Sequence, residues 1–159
     1  MVNVLDKVQP KNKTQLKSLI EYAFNHNIYE LNFIDTSKIT DMSNLFMNCE
    51  YDIDVYNWDV SNVTNMSGMF YNCEKFNCDL SNWDVSNVTN TAGMFYFCKN
   101  FDCDLSRWNV SNVKYMYLMF HNCKKFNSDM SNWNVTKAKS TLNMFDGCDK
   151  MTIPNWYKK

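Results

Sequence analysis

"NWDVSNVTNMSGMF" occupies residues 57–70 and is followed by a near-copy, "NWDVSNVTNTAGMF", at 82–95. Two looser copies stand at 107–120 and 132–145. Self-similarity at a fixed period of about 20–50 residues is typical of proteins built from stacked units. We therefore take the repeat, and not any single motif within it, as the feature that decides the fold.

Four residue types recur every 25 positions and mark the predicted core. An earlier copy at 34–49 carries Ile34 in the Trp column and Cys49 in the Cys column. One unit cannot bury both its Trp and its Met-Phe pair, but stacked units can, so we expect each residue to pack on its equivalent one coil away. The predicted core columns are Trp58, Trp83, Trp108 and Trp133; Met69, Met94, Met119 and Met144; Phe70, Phe95, Phe120 and Phe145; and Cys73, Cys98, Cys123 and Cys148.

Each unit divides into two parts with different periodicities. The Trp83-x-Val85 pair places two apolar side chains on one face of an extended strand. The following segment has the spacing i, i+3, i+6, i+7 and i+10, which is typical of one face of a helix; its residues are Val63, Met66, Met69, Phe70 and Cys73. The pattern predicts an α/β fold with one short parallel strand and one short helix per 25-residue coil.

The two ends of such a stack need covers. Apolar residues at helical spacing between 13 and 28 predict an N-terminal capping helix; they are Leu16, Leu19, Ile20, Ala23 and Phe24. We expect a single domain over residues 1–159, in which 1–30 form the N-terminal cap and 31–49 the first unit. Four 25-residue repeats then occupy 50–148, and 149–159 form a C-terminal cap.

The repeat resembles that of the BspA-like leucine-rich-repeat surface proteins. The resemblance rests on "FNCDLSNWDVSNVTNTAGMFYFC" at 76–98, on the opening unit "LNFIDTSKITDMSNLF" at 31–46 and on the ending "IPNWYKK" at 153–159. It covers about residues 14–157. The resemblance implies a right-handed, leucine-rich-repeat-like solenoid that serves binding and adhesion, without catalytic residues.

All seven cysteines lie in repeat columns, with Cys78 and Cys103 in a second column that Ser128 continues. We expect a ladder of buried free thiols, because free cysteine is among the most buried residue types. Disulfides between adjacent coils are the alternative, although an odd number in one column cannot pair completely. We expect no metal, since the Cys-x4-Cys pairs lack a histidine at zinc-like spacing.

Two sets of residues are candidate partner-binding positions. Asp59, Asp84, Asn109 and Asn134 lie between the inward Trp and Val, so they face outward as a polar recognition surface or as plain solvated positions. In the third repeat Tyr115, Tyr117 and Leu118, preceded by Lys114, replace the small or polar residues of earlier repeats. They form either an exposed apolar contact patch or packing that fills a groove beside the next coil.

The composition excludes several functions. The net charge of −1 gives no general attraction to nucleic acid, and no apolar run approaches the roughly 20 residues of a membrane span. Three glycines cannot build a phosphate-binding loop, and His26 and His121 belong to no Ser, Cys or Asp constellation. We expect no enzyme activity and no cofactor.

These observations predict a non-enzymatic module that binds another protein of unknown identity. The alternatives are an assembly protein that associates head to tail and, less favoured, a metal-binding protein or enzyme. Head-to-tail association is suggested by charge, because residues 1–98 carry a net −6 and residues 99–159 a net +5. The absence of a signal peptide and the many cysteines predict a cytoplasmic or other intracellular location; a cell-surface or virion location is the alternative.

Overall fold

One helix, α1, precedes the repeats in the computed structural model, which describes residues 7–158. It spans Lys13–Asn25, inside the range 13–28 expected from the sequence. The helix begins where Asn12 Oδ1 accepts the Gln15 N–H at 3.0 Å. It ends before Asn27, which has a left-handed φ of 57°. Its buried residues are Leu16, Ile20 and Ala23.

The prediction of an α/β, leucine-rich-repeat-like solenoid is wrong. Between residues 7 and 158 the backbone has no helix other than α1 and no continuous strand. Neighbouring repeats are joined instead by isolated parallel bridges within long stretches of turns. The bridges pair Val8 with Ile34, Glu30 with Asp54, Asp41 with Asn65, Asn65 with Asn90, Asn90 with Tyr115, and Tyr115 with Ser140.

The predicted repeat helix is replaced by consecutive turns, shown here for residues 65–72. Met69 and Tyr71 donate their N–H groups to carbonyl oxygens three residues back, at 3.1 and 3.0 Å. Gly68 and Asn72 have φ values of 60° and 57°. A right-handed helix cannot include such left-handed residues, whereas turns with a positive φ at their third position require them. We call this part of each repeat the turn segment; the five turn segments are 41–48, 65–72, 90–97, 115–122 and 140–147.

The remaining N–H groups of the first four turn segments bond the next repeat. Every second residue donates to a carbonyl oxygen 23 positions later in the first segment and 24 positions later in the other three, so the repeats stack in register. In the second turn segment the pairs are Met66 to Asn90, Gly68 to Ala92, Phe70 to Met94 and Asn72 to Tyr96, at 2.9, 2.9, 2.9 and 2.6 Å.

The predicted strand around the tryptophan is also a series of turns. Trp83 N–H bonds the Leu80 carbonyl at 3.1 Å, and Val88 N–H bonds the Val85 carbonyl at 2.9 Å. These N–H groups are therefore satisfied locally and are not available to a ladder between strands. Trp83 and Val85 are nevertheless both buried, because their side chains still enter the space between neighbouring repeats.

The repeated apolar residues lie where stacked repeats meet. The tryptophan, methionine and phenylalanine columns are buried throughout, while the cysteine column is buried except at the half-buried Cys148. Consecutive phenylalanines from Phe46 to Phe145 stack with ring centroids 5.5–5.8 Å apart. A second aromatic column packs beside the first and consists of Phe76, Phe101 and Phe126.

The two ends of the stack are covered differently. At one end α1 packs on the first turn segment, where Lys13 pairs with Asp41 at 3.2 Å and Phe24 contacts Phe46. At the other end Tyr157 packs edge-on against Phe145, with centroids 5.1 Å apart. Residues 1–6 and 159 of the predicted caps lie outside the described residues.

Candidate interaction surfaces

The fourth turn segment, 115–122, carries the exposed apolar residues that the sequence singles out. Tyr115 and Tyr117 are 39% and 41% exposed, and Leu118 is half-buried. The sequence predicted that these residues lie on the exterior of a helix; that prediction is wrong, because they lie on turns. Lys114 is exposed and its backbone joins three repeats, since its N–H bonds the Thr89 carbonyl and its own carbonyl accepts from Lys139.

The stacking places a further apolar residue beside this group. Tyr115 is bridged to Ser140, and the Leu118 N–H bonds the Leu142 carbonyl at 2.9 Å. Leu142 occupies the column of Tyr117 in the next repeat, so the two backbones are about 4.8 Å apart. Its exposure of 65% is the largest among the exposed large apolar residues of the described chain. We call Tyr115, Tyr117, Leu118 and Leu142 the tyrosine patch.

Sequence reasoning overlooked Leu142, although a signal for it exists. Its column runs Ser43, Ser67, Ala92, Tyr117 and Leu142, so the change from small to large begins in the third repeat and continues in the fourth. Comparing each column along its whole length, and not one repeat with its predecessors, would have found it.

Leu118 has a backbone conformation that is unusual for its side chain. Its φ is 58°, in the left-handed region. The equivalent positions are filled by residues that accept this region readily, namely Asn44, Gly68, Gly93 and Asn143. A bulky residue in this conformation costs free energy and is held there by the surrounding structure.

The polar positions between each Trp and Val cap local turns. Asp59 and Asp84 each accept the N–H of the residue two positions later, Ser61 and Ser86, at 3.0 Å. Asn109 and Asn134 accept equivalent bonds from Ser111 and Thr136 at 3.2 Å. Bonds from the hydroxyl and the N–H of Ser86 lower the pKa of the Asp84 carboxyl. All four residues are exposed, so each combines a turn-stabilising role with a solvent-facing group.

A second column of acidic residues, which includes Asp79 and Asp104, lines shallow grooves between the repeats. Cys103 Sγ lies 3.5 Å from Asp79 Oδ1, and Ser128 Oγ donates to Asp104 Oδ1 at 3.1 Å. Bonds from the N–H and hydroxyl of Ser81 lower the pKa of Asp79. These carboxylates are charged hydrogen-bond acceptors, and residues 7–158 contain no group of three or more His, Cys, Asp or Glu arranged to hold a metal ion.

The thiols are buried, apart from the half-buried Cys78 and Cys148, and are bonded to the backbone. All seven cysteines are free, and those at 73, 98, 123 and 148 each donate to the carbonyl of a phenylalanine one repeat earlier, at 2.9 Å. Burial raises the pKa of Cys73 and Cys148 to about 12 and raises that of Cys98 and Cys123 well above its ordinary value. Thiols that stay protonated are poor nucleophiles and poor metal ligands.

The histidines take part in aromatic stacking. His26 stacks on Tyr22 with centroids 4.2 Å apart, and its Nδ1 lies 2.8 Å from the Tyr22 carbonyl oxygen. His121 continues a column of stacked Tyr71 and Tyr96 rings. The contacts of these two rings are with aromatic residues and backbone, and a hydroxyl or thiol nucleophile is not among their partners in the described chain.

Residues 7–158 contain no helix that is long and apolar enough to cross a membrane. The helix α1 has 13 residues, fewer than the roughly 20 that a bilayer requires.

Comparison with curated proteins and with solved structures gives no match. The chain does match the family described as "Mycoplasma protein of unknown function, DUF285", in two overlapping segments, 14–108 and 40–156. Because these segments together span most of the chain and follow its repeats, the protein belongs to the DUF285 family.

Proposed function

We propose that this protein is a non-enzymatic interaction module that binds another protein through the tyrosine patch. The observation that carries the proposal is the exposure of large apolar side chains in columns that are otherwise small or polar. Tyr117 and Leu142 replace Ser67 and Ala92 of the earlier repeats, and Tyr115 replaces Asn65. Contiguous exposed apolar residues are typical of protein interaction sites, and tyrosine is enriched among the residues that dominate binding energy.

The backbone conformation of Leu118 is a second argument for binding at the tyrosine patch. Glycine or asparagine would adopt its φ of 58° at lower cost. A leucine retained in a strained conformation, between two exposed apolar columns, is typical of a position kept for contact and not for stability.

The chemistry of the groups available supports binding over catalysis. The buried thiols are protonated, the outward carboxylates are engaged in turn caps, and the histidines stack on aromatic rings. The resemblance of the repeat to BspA-like surface proteins favours an adhesion-type role among possible interactions. The seven free thiols favour a reducing compartment, and hence an intracellular partner, over the cell surface.

The test compares two variants that should both remain folded. The first, Tyr115→Asn/Tyr117→Ala/Leu118→Gly, gives the third repeat the residues of the second. The control, Asp59→Asn/Asp84→Asn, gives the first two repeats the amides that Asn109 and Asn134 already have. Partners captured by the wild-type protein from extracts of its source cell, and of a host cell, are identified and purified. Their affinities for all three proteins are then measured directly.

We expect the first variant to lose at least about tenfold in affinity and the control to bind as the wild type does. Equal binding by the wild type and the first variant, with both folded by circular dichroism, would contradict the proposal. A loss of affinity in the control variant alone would indicate that the partner binds the polar column that contains Asp59 and Asp84.

A further inference from the structure

Within the turn segments, the hydrogen bonds between repeats all have the same direction. In the three middle turn segments every second residue donates its N–H toward the next repeat, and the intervening carbonyls accept from the previous repeat. The residue just before a turn segment makes a single bond in the opposite direction, as the Lys139 N–H does to the Lys114 carbonyl. The last such junction joins the third and fourth repeats at 2.8–3.0 Å. Its donors are Met116, Leu118, Phe120 and Asn122, and its acceptors are Ser140, Leu142, Met144 and Asp146.

The fifth turn segment, 140–147, is the last one within residues 7–158, and it presents a row of donors. The equivalent N–H groups belong to Thr141, Asn143, Phe145 and Gly147. Within residues 7–158 the N–H groups of Thr141, Asn143 and Gly147 have no acceptor. The Tyr157 ring covers Phe145, and its hydroxyl lies against the backbone of Met144 and Phe145.

The C-terminal residues close only half of this end. Trp156 occupies the tryptophan column of a further repeat, and its Nε1 bonds the Met130 carbonyl at 2.7 Å. No turn segment accompanies it among the described residues, so Asn143 and Gly147 stay exposed at the open edge. Unpaired backbone groups along an edge are a template for pairing with another chain.

The direction of the bonds decides what can occupy the edge. Two copies of this end cannot pair with each other, because both present N–H donors and neither presents a row of acceptors. The opposite end of a second copy is covered by α1, which packs on the first turn segment through Lys13 and Phe24. The suitable occupant is a turn segment of the same kind with its carbonyl row uncovered.

We propose that the edge formed by Thr141, Asn143 and Gly147 binds a turn segment of this repeat type supplied by another polypeptide. Four junctions inside the chain seat such a segment on the same donor row, so the complementary shape is already present in the structure. Residues 137–158 carry four lysines and two aspartates, Asp146 and Asp149, and the resulting net charge of +2 favours an acidic occupant. The edge consists of backbone N–H groups, whereas the tyrosine patch consists of side chains, of which only that of Leu142 lies between two residues of the edge. The variant that tests the patch changes residues 115, 117 and 118 and leaves 141–147 unchanged, so the two proposals are tested independently.

The experiment uses the full-length protein labelled with ¹⁵N and a capped synthetic peptide of residues 82–98 carrying Cys98→Ser. In the intact chain the carbonyls of this segment accept from the preceding repeat. A scrambled peptide of the same composition is the control. Amide spectra are recorded during titration up to about 1 mM peptide, the weak end of specific recognition, and hydrogen exchange is measured at the highest concentration.

We expect saturable binding that slows exchange of the Thr141, Asn143 and Gly147 amides at least about tenfold, with no effect of the scrambled peptide. The tyrosine-patch variant should bind the peptide as the wild type does, which separates this result from the fate of the proposed function. The proposal is overturned if the peptide does not bind by about 1 mM, or if it binds while these three amides exchange at their original rates.

Discussion

The indole Nε1 of Trp108 donates a hydrogen bond to the carbonyl oxygen of Leu80, 3.0 Å away and one repeat earlier. Trp58, Trp133 and Trp156 make the same bond to the equivalent carbonyls. Trp83 is the exception, because its Nε1 is buried without a hydrogen-bond partner among the described residues. One column thus contains both satisfied and unsatisfied indoles in similar surroundings.

We predict that Trp108→Phe lowers the free energy of unfolding by about 1 kcal/mol more than Trp83→Phe does. Both changes remove similar apolar volume, but only the first removes a hydrogen bond, and the second relieves a buried donor without a partner. Urea denaturation of the two variants measures the difference. Equal losses, or a larger loss at Trp83, would show that the indole hydrogen bonds do not stabilise the stack.

We predict that the free energy of unfolding of the Leu118→Asn variant is about 1 kcal/mol higher than that of the Leu118→Ala variant. Both variants lose the leucine side chain, but asparagine tolerates the φ of 58° far better than alanine does. The left-handed Asn44 and Asn143 already occupy this column. Thermal or urea unfolding checks the prediction, and identical stability of the two variants would argue against strain at this position.

We predict that Gly147→Ala destabilises the protein more than Gly93→Ala does. Both glycines have left-handed φ values, 75° and 59°, so each replacement carries a similar backbone cost of about 1–2 kcal/mol. A Cβ at Gly147 would also collide with the Asn122 side chain and approach its Cα at 3.3 Å, whereas at Gly93 the nearest atom is 3.7 Å away on Tyr71. Comparison of the two melting temperatures tests this, and a greater loss at Gly93 would refute it.

We predict that the protein loses stability as the pH rises above about 9. Burial raises the pKa of Cys78 and Cys103 from 9.0 to about 12, so the folded state keeps these protons after the unfolded chain has released them. This contribution is complete below the unfolded pKa and declines as the pH rises toward the folded one. Urea denaturation between pH about 7 and about 11 measures the decline.

Cys103→Ser is the matched control for this pH dependence, because Ser128 fills the same position in the next repeat with equivalent bonds. The variant should show a shallower decline at alkaline pH, since one buried ionisable thiol is gone. A slope identical to that of the wild type would assign the alkaline loss to other groups.

The repeat period predicted which side chains are buried but not the backbone that buries them. The tryptophan and phenylalanine columns pack on their equivalents one repeat away because any stacked structure with a 25-residue period must bring them together. The helix α1 could also be anticipated, since its apolar spacing continues for 13 residues without a glycine or proline.

The turn segments were mistaken for helices because two different backbones produce the same apolar spacing. Hydrogen bonds to the third residue back, at Met69 and Tyr71, also bring residues three and four apart to one face. The distinguishing signal is the recurrence of Gly or Asn at two positions, seen at Gly68 and Asn72. Leu118 and Phe97 each occupy one of these two positions, so neither column consists of Gly and Asn alone.

The tyrosine patch could be located from sequence only in part. Replacement of small residues by Tyr115 and Tyr117 is visible in the repeat itself. The contribution of Leu142 depends on in-register stacking of the third and fourth repeats, which the bridge between Tyr115 and Ser140 establishes. The open donor edge depends on the direction of the hydrogen bonds, and a side-chain pattern does not contain that information.

The most direct test of this account is the detection of hydrogen bonds by NMR couplings that pass from the amide nitrogen of one residue to the carbonyl carbon of its acceptor. We predict such couplings from Met66, Gly68 and Phe70 to Asn90, Ala92 and Met94, one repeat further along the chain. Couplings from these nitrogens to carbonyls four residues earlier would show helices within the repeats and would contradict the stacked-turn architecture on which both proposed surfaces depend.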